Sequence, residues 1–148
     1  MKHRDVKGDH KGLELFGQQA SRLQEPGCRE AIARHGIIIC EGFNDVIGLD
    51  NLGIPALAIM SNRITAAQVE KITHWSQQLA SGRVTLHFDC EQAGDDGAKE
   101  ALWLLAQRGL NVRLGWTQAM YGGTFIGRQP ENLTRDEWEQ LMLASTDR

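Results

Sequence analysis

The 148-residue sequence has no surplus of positive charge: 16 lysines and arginines stand against 19 aspartates and glutamates, a formal net charge of −3. A module that grips nucleic acid by charge alone is basic. The composition therefore excludes that simple class, but not an enzyme that meets phosphates through metal ions. Cysteine is scarce: Cys28, Cys40 and Cys90 are an odd number at wide spacing, with no CxxC and no nearby CxxH. This argues against a zinc ribbon or a disulfide framework. Cys40 and Cys90 each end an apolar run, as small buried residues of a reducing compartment do. No stretch approaches the ~18 consecutive apolar residues of a membrane helix. Met1 to His10 are charged and lack an apolar core, so no secretory signal is expected and the expected setting is cytoplasmic. A P-loop, a G-x-G-x-x-G and a G-x-S-x-G frame around Ser61 are all missing.

What is present is a chain of one-domain size, 41% apolar and 24% charged, as a globular domain requires. Charge divides unevenly. Residues 1–35 carry seven basic and five acidic side chains, residues 36–115 six and nine, and residues 116–148 three and five. Residues 1–12 are expected to form a polar N-terminal arm.

The middle alternates between two hydrophobic periods. GIIIC at 36–40 reads as a strand buried on both faces. Residues 43–52 read as a helix, and residues 54–60 as a second strand with Pro55 near its start. Thr65-Ala-Ala-Gln68 is a capping-box pattern that opens a helix, with Ile72, Trp75 and Leu79 on one face. RVTLHF at 83–88 alternates as a third strand. Residues 94–108 form a helix with Ala98, Ala101, Leu102 and Leu105 on one face, and residues 110–116 a fourth strand. Thr117 to Pro130 is glycine-rich and reads as a loop. Thr134-Arg-Asp-Glu137 is a second capping box, opening a helix through Trp138, Leu141 and Met142. This βαβαβαβ order predicts a Rossmann-like α/β fold: a mainly parallel sheet of about four strands with helices on both faces.

In such sheets ligands gather at the carboxyl ends of the strands. Glu41 and Asp45 follow the first strand, Ser61, Asn62 and Arg63 the second, and Asp89, Glu91, Asp95 and Asp96 the third. Asp89 and Glu91 are two apart in extended chain, so their side chains point the same way. Close carboxylates raise each other's pKa unless a cation sits between them. Magnesium suits such a pair, because it takes one or two carboxylates together with substrate phosphates. Glu41 could join the cluster or act as a general base. The competing reading is that acids after strands cap helices, and Asp95 and Asp96 fit it well. Arg63 is a candidate phosphate contact, with a plain surface role as the alternative. His87 sits two residues before Asp89, although a strand histidine facing a helix is the commoner case. Trp75, Trp103 and Trp138 read as core, whereas Trp116 ends a strand near the active edge and is a candidate for base stacking.

The strings around these acids carry a resemblance. EGFNDV at 41–46 resembles the first motif of the TOPRIM domain, and Asp89-Cys-Glu91-Gln-Ala-Gly94 resembles its second. The segment from Ser61 to Gln68 is similar to the linking segment of bacterial DnaG-type primases. Leu15-Phe-Gly17 and Arg34-His-Gly36 are similar to the lead-in of that domain, and Gly127-Arg-Gln-Pro-Glu131 to a downstream primase segment. The resemblance covers about residues 13–145. It implies a TOPRIM core over residues 13–116, followed by a glycine-rich loop and C-terminal helix packed on it over 117–148.

The resemblance further implies Mg²⁺-dependent nucleotidyl transfer, with Mn²⁺ as the alternative ion: RNA primer synthesis on a DNA template from nucleotides. In that reading Glu41 is the catalytic acid/base residue. Asp89, Glu91 and Asp45 are the metal candidates, with Asp45 as the supporting acid. Gly42 and Gly94 allow close backbone approach at the phosphate or nucleic-acid side, which Arg63 would share. Two positions depart from the pattern: Glu91 stands where aspartate is usual, and Gln129 where primases usually carry an acid. The expected partners are DNA, nucleotides and other domains of a larger primase or helicase protein, with no membrane. The alternatives are a TOPRIM nuclease and a non-catalytic TOPRIM scaffold that binds nucleic acid or partners. A phospho-receiver domain fits less well, since the last strand ends Leu114-Gly-Trp116 without the lysine such a domain needs.

Overall fold

The computed structural model describes residues 14–17 and 20–146, and the predicted arm over residues 1–12 lies outside them. The short helix α1 (Ala20–Leu23) leads into α2 (Pro26–His35). Then follow β1 (Ile37–Cys40), α3 (Phe43–Asn51), β2 (Ala56–Ala58), α4 (Ala66–Leu79), β3 (Arg83–Leu86), α5 (Gln92–Ala106) and β4 (Asn111–Leu114). Two 3-10 turns, Tyr121–Gly123 and Pro130–Asn132, precede α6 (Arg135–Thr146).

The four strands form one parallel sheet, as the alternation of strand and helix signals predicts, and the structure sets their order as β2-β1-β3-β4. Ile38 pairs with Ala56 on one side and Thr85 on the other, and Thr85 pairs with Arg113. Alternate side chains serve opposite faces. Ile37, Ile39, Leu57, Val84 and Leu86 pack under α2, α4 and α5, against Ile32, Ile72, Ala101 and Leu105. Ile38, Cys40, Ala56 and Ala58 pack under α3 and α6, against Val46, Leu49, Trp138 and Leu141. Both faces of the inner strands are covered, which is why β1 reads as an unbroken apolar run.

Both predicted capping boxes form. Gln68 N–H donates to Thr65 Oγ1 and Thr65 N–H to Gln68 Oε1, each at 3.1 Å. Glu137 N–H donates to Thr134 Oγ1 at 3.2 Å and Thr134 N–H to Glu137 Oε1 at 3.0 Å. Gln68 does more than cap: it is fully buried, and its Nε2 donates to Ile59 O at 2.8 Å and Glu14 O at 3.0 Å.

Three aromatic expectations are sorted differently by the fold. Trp138 is core, but Trp103 points outward and is 66% exposed. Its position on α5 places it away from the stripe of Ala98, Ala101 and Leu105 that meets the sheet. Trp116 is buried, and its indole N–H donates to Phe88 O, so no face is left for base stacking. His87 is fully buried against Trp116, with ring centroids 4.4 Å apart, and near Trp138 at 5.8 Å. Burial holds its pKa down at about 3, so it packs as a neutral aromatic.

Candidate active site

The chain leaves β1 toward β2 on one side and leaves β3 toward β4 on the other. The crevice between the carboxyl ends of β1 and β3 is therefore the switch point of the sheet, where doubly wound folds bind ligands. Glu41 follows β1 directly and Asp89 lies just beyond β3. A cleft of about 410 Å³ opens there, lined by Glu41, Asp45, Asp89, Gln129 and Glu131 together with Phe43, Asn44, Met60 and Asn62.

Glu41 Oε1 accepts a hydrogen bond from Asp89 N–H at 2.7 Å, which ties the two strand ends together. Its pKa is raised to about 7, chiefly by burial. The Asp89 N–H opposes the shift, and the charges of Asp89, Asp45 and Glu91 add to it. Asp89 is raised to about 6 by burial, then by the charges of Asp45, Glu91 and Glu131. Its Oδ1 is buried and has no hydrogen-bond partner among the described residues. A buried carboxylate oxygen without a donor is costly.

Asp45 is buried, and both its oxygens are engaged. Oδ2 accepts from Gly42 N–H at 3.3 Å, and Oδ1 from Glu131 N–H at 3.2 Å. It thus closes the first turn of α3 and holds the Pro130–Asn132 turn against it. Burial raises its pKa, while those two N–H bonds lower it. The fit of this turn is close: a Cβ on Gly48 would stand 2.8 Å from Glu131 Cα. The turn is also anchored from behind. Arg128 grips Glu137 through two 2.8 Å bonds, and Cys90 N–H donates to Arg128 O at 2.9 Å.

Of the other sequence candidates, Gly42, Ser61 and Asn62 line this cleft, and the rest lie around it. Glu91 is exposed at the N-cap of α5, and its charge is felt by Glu41 and Asp89. Asp95 is buried and accepts from Gln118 N–H at 3.1 Å and from Gln118 Nε2 at 3.2 Å, a structural clamp in the first turn of α5. Asp96 is exposed and accepts from Gln92 Nε2 at 2.9 Å. Arg63 is exposed and paired with Glu100 at 3.0 Å. Gly42 is the N-cap of α3. Gly94 sits where an added Cβ would come within 1.9 Å of Asp89 O, so only glycine lets α5 start this close to the Asp89 turn. Phe43 and Asn44, which lie inside the EGFNDV string, and Met60 line the cleft without having been assigned a role. Phe43 carries no sequence signal beyond its place beside the acids, and Met60 is a non-glycine residue held at φ 69°.

Among the described residues, no three His, Cys, Asp or Glu side chains converge closely enough to cage a metal unaided. The donor set still fits magnesium, which takes few protein carboxylates and fills its remaining positions with water and phosphate oxygens. The unpartnered Asp89 Oδ1 is such a donor, with Glu41 beside it.

A four-stranded parallel α/β fold with an acid-lined switch-point cleft defines the class. The profile of the Toprim-like family matches residues 38–122, more than half of the chain, and the chain belongs to that family. No curated protein matches it. Among solved structures it is similar to the zinc-binding and RNA polymerase domains of the Aquifex aeolicus primase. The TM-score is 0.64 at 20% identity, covering 91% of this chain and 30% of that one. It is similar to the DnaG catalytic core, with a TM-score of 0.62 at 23% identity, covering 91% and 40%. It is also similar to the DnaG primase catalytic domain bound to ssDNA, with a TM-score of 0.61 at 22% identity, covering 93% and 39%. The chain thus spans 30–40% of the length of these primase structures and shares their fold. No helix among the described residues is long and apolar enough to cross a membrane.

Proposed function

We propose that this chain is the TOPRIM domain of a primase-like protein, and that its acid cleft serves Mg²⁺-dependent nucleotidyl transfer on a DNA template. The observation that carries the reading is the unpartnered, buried Oδ1 of Asp89 beside Glu41 at the switch point of the sheet. Asp89 would hold the ion, with Glu91 reaching in from the N-cap of α5. Mn²⁺ has the same oxygen preference. Bound there, the ion supplies charge neutralisation at a phosphate and a template for in-line displacement.

The protein's own part is proton handling and positioning. Glu41, with a pKa of about 7, is near the optimum for exchanging a proton at neutral pH. The Asp89 N–H fixes Glu41 Oε1 and so orients the carboxyl. Asp45 positions the first turn of α3 and the Glu131 backbone, and so shapes the cleft wall. Gly42 and Gly94 keep both strand-end turns tight, leaving room for a phosphate. Arg63 would reach a strand phosphate only by leaving Glu100.

The similar primase structures are longer, which supports a domain that works within a larger protein, with other domains supplying basic template contacts. A replicative, cytoplasmic setting accords with three unpaired cysteines. The second reading is a TOPRIM scaffold without catalysis. The exposed position of Glu91 and the want of a three-ligand cluster among the described residues favour it.

Titration of the chain with Mg²⁺ and Mn²⁺, followed by NMR shifts at residues 41–45 and 89–91, separates the two. Millimolar or tighter binding that is lost in Asp89→Asn and altered in Glu41→Gln is the expected result. Absence of divalent-ion binding at millimolar concentration overturns the catalytic reading. Assays with single-stranded DNA and ribonucleotides then distinguish primer synthesis from strand cleavage.

A further inference from the structure

Six large hydrophobic side chains are strongly exposed among the described residues, and three of them gather beside the acid cleft. Phe43, at the first position of α3, is 46% exposed and lines the cleft itself. Ile47, 49% exposed, follows one turn later on the same face of α3. Phe16, 41% exposed, lies against Phe43 with ring centroids 6.0 Å apart and planes tilted by 58°. Phe16 is held there by backbone: it donates to Ala58 O at 2.9 Å and accepts from Ala58 N–H at 3.1 Å. The segment at 14–17 thus docks on β2, the strand at that edge of the sheet, and presents an aromatic ring next to α3.

Isolated exposed apolar residues need no explanation, but a cluster joined to a polar cleft does. Packing among the described residues leaves both rings partly open to solvent, at 41% and 46% exposure. Phe43 is only two residues from Glu41, so the flat apolar surface and the phosphate-handling acids share one opening. A ligand matching both would have an anionic, metal-bridging end and a flat aromatic end. Nucleobases stack on phenyl rings with little sequence preference, because every base has a π-face.

We propose that Phe43, backed by Phe16, is a stacking platform for a nucleobase of the nucleotide or nucleic-acid strand whose phosphate the acid cleft receives. The inference rests on the phosphate-handling reading of that cleft. It assigns the aromatic contact to Phe43, which stands between the two acids of EGFNDV, and to Phe16, which lies outside the acid motifs. It also supplies a base contact after the fold has closed Trp116 into the core.

The test uses the 148-residue chain with Mg²⁺ and four probes: ATP, inorganic tripolyphosphate, a single-stranded hexanucleotide, and the same strand with abasic residues. Affinity is read by NMR titration, and saturation transfer from the phenyl protons to the base is read alongside. ATP is expected to bind roughly tenfold more tightly than tripolyphosphate, or the hexanucleotide roughly tenfold more tightly than its abasic counterpart. Whichever pair shows the gap identifies a free nucleotide or a strand as the source of the base. Phe43→Ala and Phe43→Leu abolish the gap, while Phe43→Trp keeps it. The leucine variant separates ring stacking from general apolar contact. Phe43 is exposed, so these variants remain folded, which circular dichroism checks.

Equal affinity within both pairs overturns the platform while leaving the cleft's phosphate reading intact, and so does a gap that survives Phe43→Leu. Failure of all four probes to bind in Mg²⁺ overturns the phosphate reading and the platform together.

Discussion

The carboxylate of Glu41 accepts the backbone N–H of Asp89 at 2.7 Å, joining two acids that stand 48 positions apart in the sequence. The contact exists because β1 and β3 are neighbours in the sheet, and it places Glu41 within the field of Asp89 and Asp45. Burial, reinforced by the neighbouring acid charges and opposed at Glu41 by the Asp89 N–H, makes both acids hold protons to higher pH than they do in an unfolded chain, Glu41 to about 7 and Asp89 to about 6.

The sign of the resulting pH dependence follows. The folded state binds these protons more tightly than the unfolded state does. Their stabilisation is fully present below the unfolded values of 4.5 and 3.8, and is lost as pH rises through about 7 for Glu41 and about 6 for Asp89. Without divalent ions, the protein is expected to melt at lower temperature at pH 8 than at pH 5 on account of these two groups. Both groups are partly solvated, which reduces the effect. Glu41→Gln and Asp89→Asn should each raise the pH 8 melting temperature by roughly 2–4 °C and flatten the pH profile. Calorimetry at both pH values checks this, and Mg²⁺ should raise the wild-type melting temperature at pH 8 but not that of Asp89→Asn.

Gly94→Ala drives a methyl group into the Asp89 carbonyl, so the Asp89 turn or α5 must shift. A loss of about 2 kcal/mol is expected, with weaker Mg²⁺ binding, because the displaced atoms belong to the cleft. Gly27→Ala is the contrast. Gly27 lies within α2 with nothing near its added Cβ, so helix propensity should leave stability unchanged or raise it by about 0.5 kcal/mol. Urea denaturation of both variants checks the pair.

Trp103 and Trp138 both occupy helical positions, and sequence alone treats them alike. With Trp103 66% exposed and Trp138 2% exposed, Trp103→Ala should cost less than about 0.5 kcal/mol and Trp138→Ala about 3–5 kcal/mol. Equal losses by chemical denaturation would contradict the described orientation of α5.

Thr65→Ala removes the cap of α4 and should cost about 1 kcal/mol. Gln68→Ala should cost more, because the carbonyls of Ile59 and Glu14 lose a donor in or near the core. Thermal melts of the two single variants establish the order.

The sequence by itself determined the local elements and the class of fold. Short apolar runs and capping boxes are read within a few residues of each other. The βαβ alternation then admits essentially one sheet handedness and a site at the strand ends. It also brought Glu41, Asp45 and Asp89 forward, because acids at strand ends are visible in one dimension. Strand order, side-chain direction and depth are not local properties, and only the tertiary structure decided them. Folding put Asp89 Oδ1 out of reach of any described donor, engaged both oxygens of Asp45, and left Glu91 on the surface. Packing of α6 and the loop before it sealed Trp116 and His87 inside. Docking of residues 14–17 on β2 set Phe16 against Phe43 at the mouth of the cleft. Each outcome depends on which distant segment covers a surface, and the free energy of covering it is shared among residues far apart in the chain.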